Sequence, residues 1–516
     1  MIKSLNIFRF AVILFLIGLS TSIYAQRIVN VQAGVGTLNA TIEGDTTSTG
    51  ERVDESTIYV LASGGYYLTT GTISNEGWPL RIQAEDNYTV RPIIQPAVIE
   101  GAESTYPFRA RGDFYLTGVY LTNTDQDGVM MERPIRLSAD SAKLVVDDCH
   151  IDYCSQAALR VDNLWNDIIF TNSVFSNLGR MESPSNGRGI DDRGNAIDSL
   201  IMRNNTFYNI TMTVVRDGGG IINYCDVDHN TIVNIGQFGI HFGEVVELHF
   251  TNNIMIDPGF LGRSASETRP CVQVSTLGED LGVQQIVDLD YNNFYVDPTL
   301  AEQYPDSILT VAIFDSTTSA LMEANGTGSH NISEAITFTS SPDSPTSVIN
   351  SYYDNDVALE LKEDLDDGDG GPVAGEGVPV QLPFDFAYAS TFSSYTASST
   401  GGQIGDLSWF GIEVGVEDDP STVPTGFSLS NNYPNPFNPT TTIKYSVPSS
   451  ENVRLVVYNM LGEEVKTLVN SEQGMGSYTV TWDGTSNMGS KVASGMYIYR
   501  LTAGKLVQSK KMILMK

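Results

Sequence analysis

The chain of 516 residues carries 62 Asp and Glu against 29 Lys and Arg, a formal net charge of −33. A field of that sign repels phosphate, which argues against nucleic acid or an anionic membrane as the partner. Cys149, Cys154, Cys225 and Cys271 keep no metal-ligand spacing, and three of them fall at repeat positions, so they read as buried thiols rather than a disulfide framework or a zinc site.

At the N-terminus, Lys3 and Arg9 precede the apolar run from Phe10 to Leu19, and Ser22-Ile-Tyr-Ala25 places small residues before Gln26. Residues 1–25 are therefore expected to be a signal peptide. Its apolar core is too short to span a bilayer, and no later segment has the 18 or more apolar residues of a membrane helix, so the exported chain is expected to be soluble, without a transmembrane segment. Charge is divided unevenly beyond it. Residues 425–516 hold nine Lys and Arg against five Asp and Glu, whereas residues 26–424 hold 18 against 57, with Lys143 and Lys362 their only lysines. So long an acidic stretch exceeds one ordinary domain unless it is a repeat array.

The middle of the chain repeats itself. Leu200-Ile-Met-Arg-Asn-Asn-Thr-Phe-Tyr-Asn-Ile210, Cys225-Asp-Val-Asp-His-Asn-Thr-Ile-Val-Asn-Ile235 and Leu248-His-Phe-Thr-Asn-Asn-Ile-Met-Ile-Asp-Pro258 share one strand, turn and strand pattern, and Leu144–Cys154, Ile168–Leu178 and Val287–Val296 fit the same frame. The turn position falls at Cys149, Ser173, Asn205, Asn230, Asn253 and Asn292, with spacings of 24, 32, 25, 23 and 39. Spacings near 24 are single coils, and the longer ones are coils with insertions. Within a strand the apolar residues alternate, and a lone coil has nothing to bury that face against. Stacked at about 4.8 Å per rung, the coils bury it continuously. Asn205, Asn230 and Asn253 then overlie one another and bond along the stack, with Cys149 and Ser173 as weaker members.

A third strand follows each turn in a shared register, eleven residues separating Cys149 from Arg160, Asn205 from Arg216 and Asn230 from His241. Apolar residues flank a polar one in Leu159-Arg-Val161, Val215-Arg-Asp217 and Ile240-His-Phe242, so the polar residue faces outward. The same reading of Phe108-Arg-Ala110, Ile135-Arg-Leu137, Ile190-Asp-Asp192 and Val272-Gln-Val274 predicts an outer column of Arg109, Arg136, Arg160, Asp191, Arg216, His241 and Gln273. Adjacent guanidiniums about 5 Å apart repel by roughly 1 kcal/mol in water, which an anionic ligand relieves. Arginines can grip a carboxylate or sulfate by two bonds. The competing reading is that the arginines offset an acidic surface, with Asp191 bridging Arg160 and Arg216.

These coils and asparagine turns resemble the pectate-lyase-like superfamily of right-handed parallel β-helices over residues 27–415. The opening, Gly36-Thr-Leu-Asn-Ala-Thr-Ile42, Tyr59-Val-Leu-Ala-Ser-Gly-Gly-Tyr-Tyr67 and Gly77-Trp-Pro-Leu-Arg-Ile-Gln83, is similar to the first coils of the chondroitinase-B-like group. The resemblance implies that polysaccharide lies along the outer strand face, and lyases of the group use a Lys/Arg pair beside calcium. Here the coils offer almost no lysine. His241 as general base with Arg216 as its electrostatic partner is the catalytic assignment that remains, removing the proton alpha to a uronate carboxyl. The polygalacturonase branch pairs carboxylates, and Asn123-Thr-Asp125, Asp191-Asp192 and Gly239-Ile-His-Phe-Gly243 imitate its motifs, but Asp125 and Asp191 belong to coils too far apart to cooperate. Calcium enters by the resemblance only: Asp364-Leu-Asp-Asp-Gly-Asp-Gly-Gly371 lacks the alternating spacing and distal glutamate of a calcium loop and reads as a solvated turn. Gly218-Gly-Gly220 reads as a turn between coils.

Beyond Val296 the coil pattern decays, and Gly401-Gly-Gln-Ile-Gly-Asp-Leu-Ser-Trp-Phe410 supplies apolar groups to cap the last rung. Residues 416–425 form an acidic, proline-bearing linker. After it, Asn432-Tyr-Pro-Asn-Pro-Phe-Asn-Pro-Thr440, Val456-Val-Tyr-Asn-Met-Leu-Gly-Glu-Glu-Val465, Trp482-Asp-Gly484, Ala493-Ser-Gly-Met-Tyr497 and the terminal Lys510-Lys-Met-Ile-Leu-Met-Lys516 resemble the type A sorting domain of the type IX secretion system. Short alternating strands broken by Gly and Pro make this segment, residues 426–516, a small β-sandwich. The resemblance implies passage through the outer membrane by the type IX machinery, then release or surface anchoring. The expectation is an all-β protein, a right-handed single-stranded parallel β-helix over residues 26–415 followed by that sandwich. It is expected to be monomeric and extracellular, engaging acidic polysaccharide either as a lyase-like enzyme or as a non-catalytic glycan-binding or adhesin-like module.

Overall fold

The computed structural model describes residues 27–514 except 99–105, 182, 217, 265–269, 279–280, 282–283, 306–307, 310, 354–383, 413–427, 430–436, 438–439, 448–450, 460–463, 474–475, 488–489 and 504–505. The signal peptide, the linker at 416–425 and the acidic run at 364–371 lie outside the described residues.

Alternating apolar strands with Asn-rich turns build two long parallel sheets of a solenoid, one of 17 strands and one of 10 among the described residues. Among the described residues, each coil between the first and the last contributes to three columns of strands. The first column includes Lys143–Asp147, Asn166–Thr171, Ile197–Arg203 and Ile221–Asp228. The second includes His150–Cys154, Val174–Leu178, Thr206–Ile210, Thr231–Ile235 and Ile254–Pro258, and the third Ile135–Leu137, Ala157–Val161, Arg188–Asp191 and Thr213–Arg216. Leu144, Ile168, Leu200, Cys225 and Leu248 stand in one register line, and all five are wholly buried. Phe170, Phe175 and Phe207 fill the interior as a stack with ring centroids 4.7 and 4.8 Å apart. The four cysteines are free and buried, and burial pushes the Cys149 thiol up to about 12.

The turn from first to second column needs a residue in the left-handed region. Asp148, Asn172, Asn204, His229, Asn252 and Tyr291 supply it, with φ between 51° and 60°. Asn and Asp tolerate this region best, which explains the Asn-Asn pairs of the repeat. The residue after each carries the bonds between coils. Ser173 N donates to Asn205 Oδ1 at 3.1 Å; Asn205 N and Nδ2 both donate to Asn230 Oδ1 at 3.0 Å; Asn230, Asn253 and Asn292 continue the pattern, ending on Asn331. A second ladder, not anticipated from the sequence, runs four residues further on. Asn234 Nδ2 donates to Asn209 Oδ1 and Asn209 Nδ2 to Asn177 Oδ1, both at 3.3 Å, and Asn177 Nδ2 donates to Asp152 Oδ1 at 3.0 Å.

Helices close the two ends. Thr37–Gly44 turns Leu38 and Ile42 into the core at the first coils, and Ser316–Asn325 turns Met322 into it at the last. Asp315 starts the second helix by accepting from Thr318 N at 2.7 Å, and Thr318 Oγ1 accepts from Val274 N at 2.9 Å, which fixes the helix on the final third-column strand. The segment 401–410, expected to do this capping, does something else. With Phe338, Phe386 and Tyr388 it lies along the outside of the second column, over Val174, Tyr208, Val233, Ile254 and Ile256. Those outward residues are apolar, so the column is buried on both faces.

Asp406 pins this strap. Its carboxylate accepts from Thr206 Oγ1 at 2.7 Å and Ser408 N at 3.0 Å, its own N–H donates to Thr231 Oγ1 at 2.9 Å, and Trp409 Nε1 donates to Thr206 Oγ1 at 2.7 Å. Burial raises the Asp406 carboxyl to about 6, against the hydrogen bonds from Ser408 and Thr206. A carboxyl whose folded pKa is raised favours the docked state fully below about pH 4, and that advantage is lost as pH rises through about 6. Limited proteolysis within residues 384–410 is therefore expected to quicken between about pH 4 and 6.5 in the wild type. In Asp406→Asn it is expected to be flat over that range; an equal slope in both would refute the assignment.

The C-terminal element has its own core. A three-stranded antiparallel sheet (Ser428–Leu429, Thr441–Val447, Gly476–Trp482) and a four-stranded one (Glu464–Gln473, Glu451–Tyr458, Gly495–Ala503, Leu506–Leu514) share a cluster around Trp482, Ile443, Leu455, Tyr499 and Met512. Among the described residues no helix is long and apolar enough to cross a membrane.

Candidate functional site

The third column brings the predicted outward residues together. Arg109 pairs in register with Arg136, Arg136 with Arg160, Arg160 with Asp191, Asp191 with Arg216, Arg216 with His241 and His241 with Gln273. Their inward neighbours Leu159, Ile190, Ile240 and Val272 are wholly buried, which fixes the parity that turns the polar side chains out.

Carboxylates thread the arginines, but not as expected. Asp191 bridges Arg188, at 3.1 Å to Nη1, and Arg216, at 3.2 Å to Nη1; the expected bridge to Arg160 is replaced by one to Arg188. Arg160 instead shares Asp162 with Arg136, at 2.7 Å through Nε and 2.6 Å through Nη2 respectively. Ser138 Oγ donates to Asp162 Oδ2 at 3.1 Å and accepts from Arg109 Nε at 3.2 Å, so three successive rungs converge on one carboxylate. Burial alone would raise the Asp162 carboxyl, but Arg136 and Arg160 outweigh it and hold it below its ordinary value. Arg133, nearly buried beside Glu132, is held low by burial and, despite Glu132, by the charges of Arg160 and Arg136; burial likewise holds Arg188 low against the pull of Asp191.

Sequence reasoning missed Asp162, Ser138, Arg133 and Arg188. Two of them carried a signal: Ser138 lies two residues after Arg136, and Asp162 two after Arg160, the spacing that keeps side chains on one strand face.

The outward face of the first column gathers carboxylates at its later rungs. Asp226 pairs in register with His249 and His249 with Asp288. His249 Nε2 lies 2.9 Å from Glu247, and Asp288, then Glu247, raise this imidazole to about 9 although burial opposes it. The acidic surface and the arginine column thus occupy different sides of one solenoid.

The catalytic assignments gain little from the geometry. Arg216 and His241 are register neighbours, but the guanidinium is directed to Asp191, and the His241 ring lies against Phe238 with centroids 5.5 Å apart. Carboxylates of the polygalacturonase-like motifs build turns: Asp125 Oδ1 accepts from Asp127 N and Val129 N at 3.0 Å, and Asp192 Oδ1 from Gly194 N at 3.0 Å and Gly218 N at 2.5 Å. The same contact explains the glycine run, since a Cβ on Gly218 would sit 2.4 Å from Gly194 N. Among the described residues no three His, Cys, Asp or Glu converge as a metal-binding group.

Residues 437–506 match the model of the FlgD Ig-like domain, which makes the C-terminal element Ig-like. No curated protein matches the chain. Among solved structures, dimeric latent PorU from Porphyromonas gingivalis is similar at 24% identity over 17% of this chain and 9% of that one, with a TM-score of 0.16. PorZ, described as an essential bacterial surface component of the type IX secretion system of the same organism, is similar at 18% identity over 19% of this chain and 13% of its own, with a TM-score of 0.14. The chain thus spans only a small part of either protein's length.

Proposed function

We propose that the protein is a surface module that binds acidic polysaccharide without cleaving it, holding the glycan along the arginine column. The observation that carries this reading is the convergence of Arg136 and Arg160, from consecutive rungs, on the single carboxylate of Asp162, with Arg109 of the rung before joined to it through Ser138 Oγ. Among the described residues, Arg136 and Arg160 pair with Asp162, and Arg188 and Arg216 with Asp191, within a passenger that is otherwise strongly acidic. Their side chains at positions 136, 160 and 216 remain 20%, 24% and 31% exposed, open enough to accept carboxylates in exchange for water. A lyase needs a base free to take a proton beside a group that stabilises the enolate. The Arg216 guanidinium is instead directed to Asp191, as the binding reading has it.

The wider reading is a right-handed parallel β-helix of the pectate-lyase-like kind over residues 26–415, exported and then carried to the outer surface through a type A sorting domain at 426–516. Its support is the set of sequence motifs in that segment together with the Ig-like match of residues 437–506.

Calorimetric titration with polygalacturonate, alginate and chondroitin, beside an absorbance assay for unsaturated sugars, tests the function. The wild type is expected to bind a polyuronate with no rise in absorbance. Arg160→Ala is expected to weaken binding roughly tenfold or more, the worth of one charge-assisted bidentate contact. Steady release of unsaturated product would replace this reading with the lyase, and binding indifferent to Arg160 would remove the column from it.

A further inference from the structure

The turn Asp162-Asn163-Leu164-Trp165 leads from the third-column strand Ala157–Val161 to the first-column strand Asn166–Thr171. It is held from both neighbouring coils. Leu164 N and Asn163 Nδ2 donate to Asp140 Oδ1 at 2.9 and 3.2 Å, Ser141 N donates to Leu164 O at 2.9 Å, and Trp165 N donates to Ala196 O at 2.7 Å. So firmly built a turn still leaves two large apolar side chains outside, Leu164 at 42% and Trp165 at 43% exposure.

Trp165 also stands at φ 59°, in the left-handed region. A bulky side chain is an outlier there, and small or polar residues serve the turn better. The corresponding turns of the adjacent coils use Ser141 at φ 52° and Arg193 at φ 57°. The backbone therefore does not call for tryptophan, and burial does not call for it either. The other three tryptophans are all engaged: Trp482 is wholly buried, Trp78 lies under the Arg52 guanidinium at 4.0 Å, and Trp409 donates to Thr206.

We propose that Trp165 is a stacking platform for a pyranose ring of the same acidic glycan that meets the arginines, an inference that rests on the binding function above. It stands three positions after Asp162, the carboxylate shared by Arg136 and Arg160, so the two Cα atoms lie within about 11 Å. A uronic acid has two chemically distinct parts, a ring face of C–H groups and a carboxylate on its edge. The flat indole suits the first and the guanidiniums the second, and an exposed apolar patch beside a charged groove is where such an amphipathic ligand binds. The glycan then leaves the arginine column at this rung and crosses the turn.

The secreted chain supplies the test, with tryptophan emission and calorimetry against sodium polygalacturonate and sodium alginate. Trp165→Asn is the informative variant, because asparagine suits φ 59° and the unfolding midpoint is expected to stay level or rise. One of the two polyuronates is expected to quench or shift the emission of the wild type, to leave that of Trp165→Asn unchanged, and to bind the variant roughly tenfold more weakly. Undiminished binding by Trp165→Asn, with binding lost in Arg160→Ala, overturns the platform and leaves the groove standing. The converse pattern keeps the platform and removes the arginine groove. A wild type that binds neither polyuronate overturns both.

Discussion

Asn230→Ala is expected to lower the free energy of unfolding by about 3–5 kcal/mol, among the largest effects of any single polar substitution in the solenoid. Asn230 is wholly buried, and its Oδ1 is the acceptor for the backbone N–H of Asn205, while its Nδ2 serves the carbonyl of Met202 at 2.8 Å. Alanine leaves both backbone groups without those bonds in a site that water does not reach, and each such loss costs about 1–3 kcal/mol. Asn230→Ser is the control. A hydroxyl can still accept from the N–H below, as Ser173 Oγ does from Cys149 N at 3.0 Å, so about half the loss is expected. Urea unfolding followed by far-UV circular dichroism measures both. A loss below about 1 kcal/mol for alanine would show that the ladder contributes alignment rather than stability.

Asp162→Asn is expected to move stability and affinity in opposite directions. The carboxylate serves Arg136 and Arg160 at once, and amide exchange removes its charge while keeping its shape. Stability is expected to fall by about 1–3 kcal/mol at pH 7, since two partly buried guanidiniums lose their counter-charge. Because the folded carboxyl is held below its ordinary value, this deficit is present above about pH 4 and vanishes as pH falls through the folded pKa. Affinity for polyuronate is expected to rise roughly tenfold at low salt, with the gain shrinking as ionic strength grows, because the internal competitor is gone. Weaker or unchanged binding would mean that the arginines serve only to balance neighbouring acid.

The column itself was legible from one strand's parity and a repeated distance: once Asn205 and Asn230 share a turn, Arg216 and His241 must share a line, and the register pairs them. Asp191 stands where the register puts it and bridges to Arg216 as expected, but its second partner is Arg188 rather than Arg160. Its partner Arg188 belongs to the same strand and follows an insertion that includes the short helix Pro184–Asn186, so the pair depends on local chain path rather than on period. The strap lies elsewhere than the last rung because the outward side of the second column is itself apolar and takes it instead. Thr206-Phe-Tyr-Asn-Ile210 already carried the contrary signal. Phe207 faces the interior and Tyr208 the outside, and both are buried, as a strand covered on two sides requires. Ion-pair partners such as Asp162 are harder to foresee, since a side chain chooses among several carboxylates within reach.

The helices seated on the terminal coils set a limit on what the protein can build. Stacked parallel strands invite addition of another copy at either exposed edge, the geometry from which fibres extend. With Leu38 and Ile42 seated in the core at one end and Met322 at the other, a helix covers the apolar interior at each mouth, so that interior is not offered to a further rung.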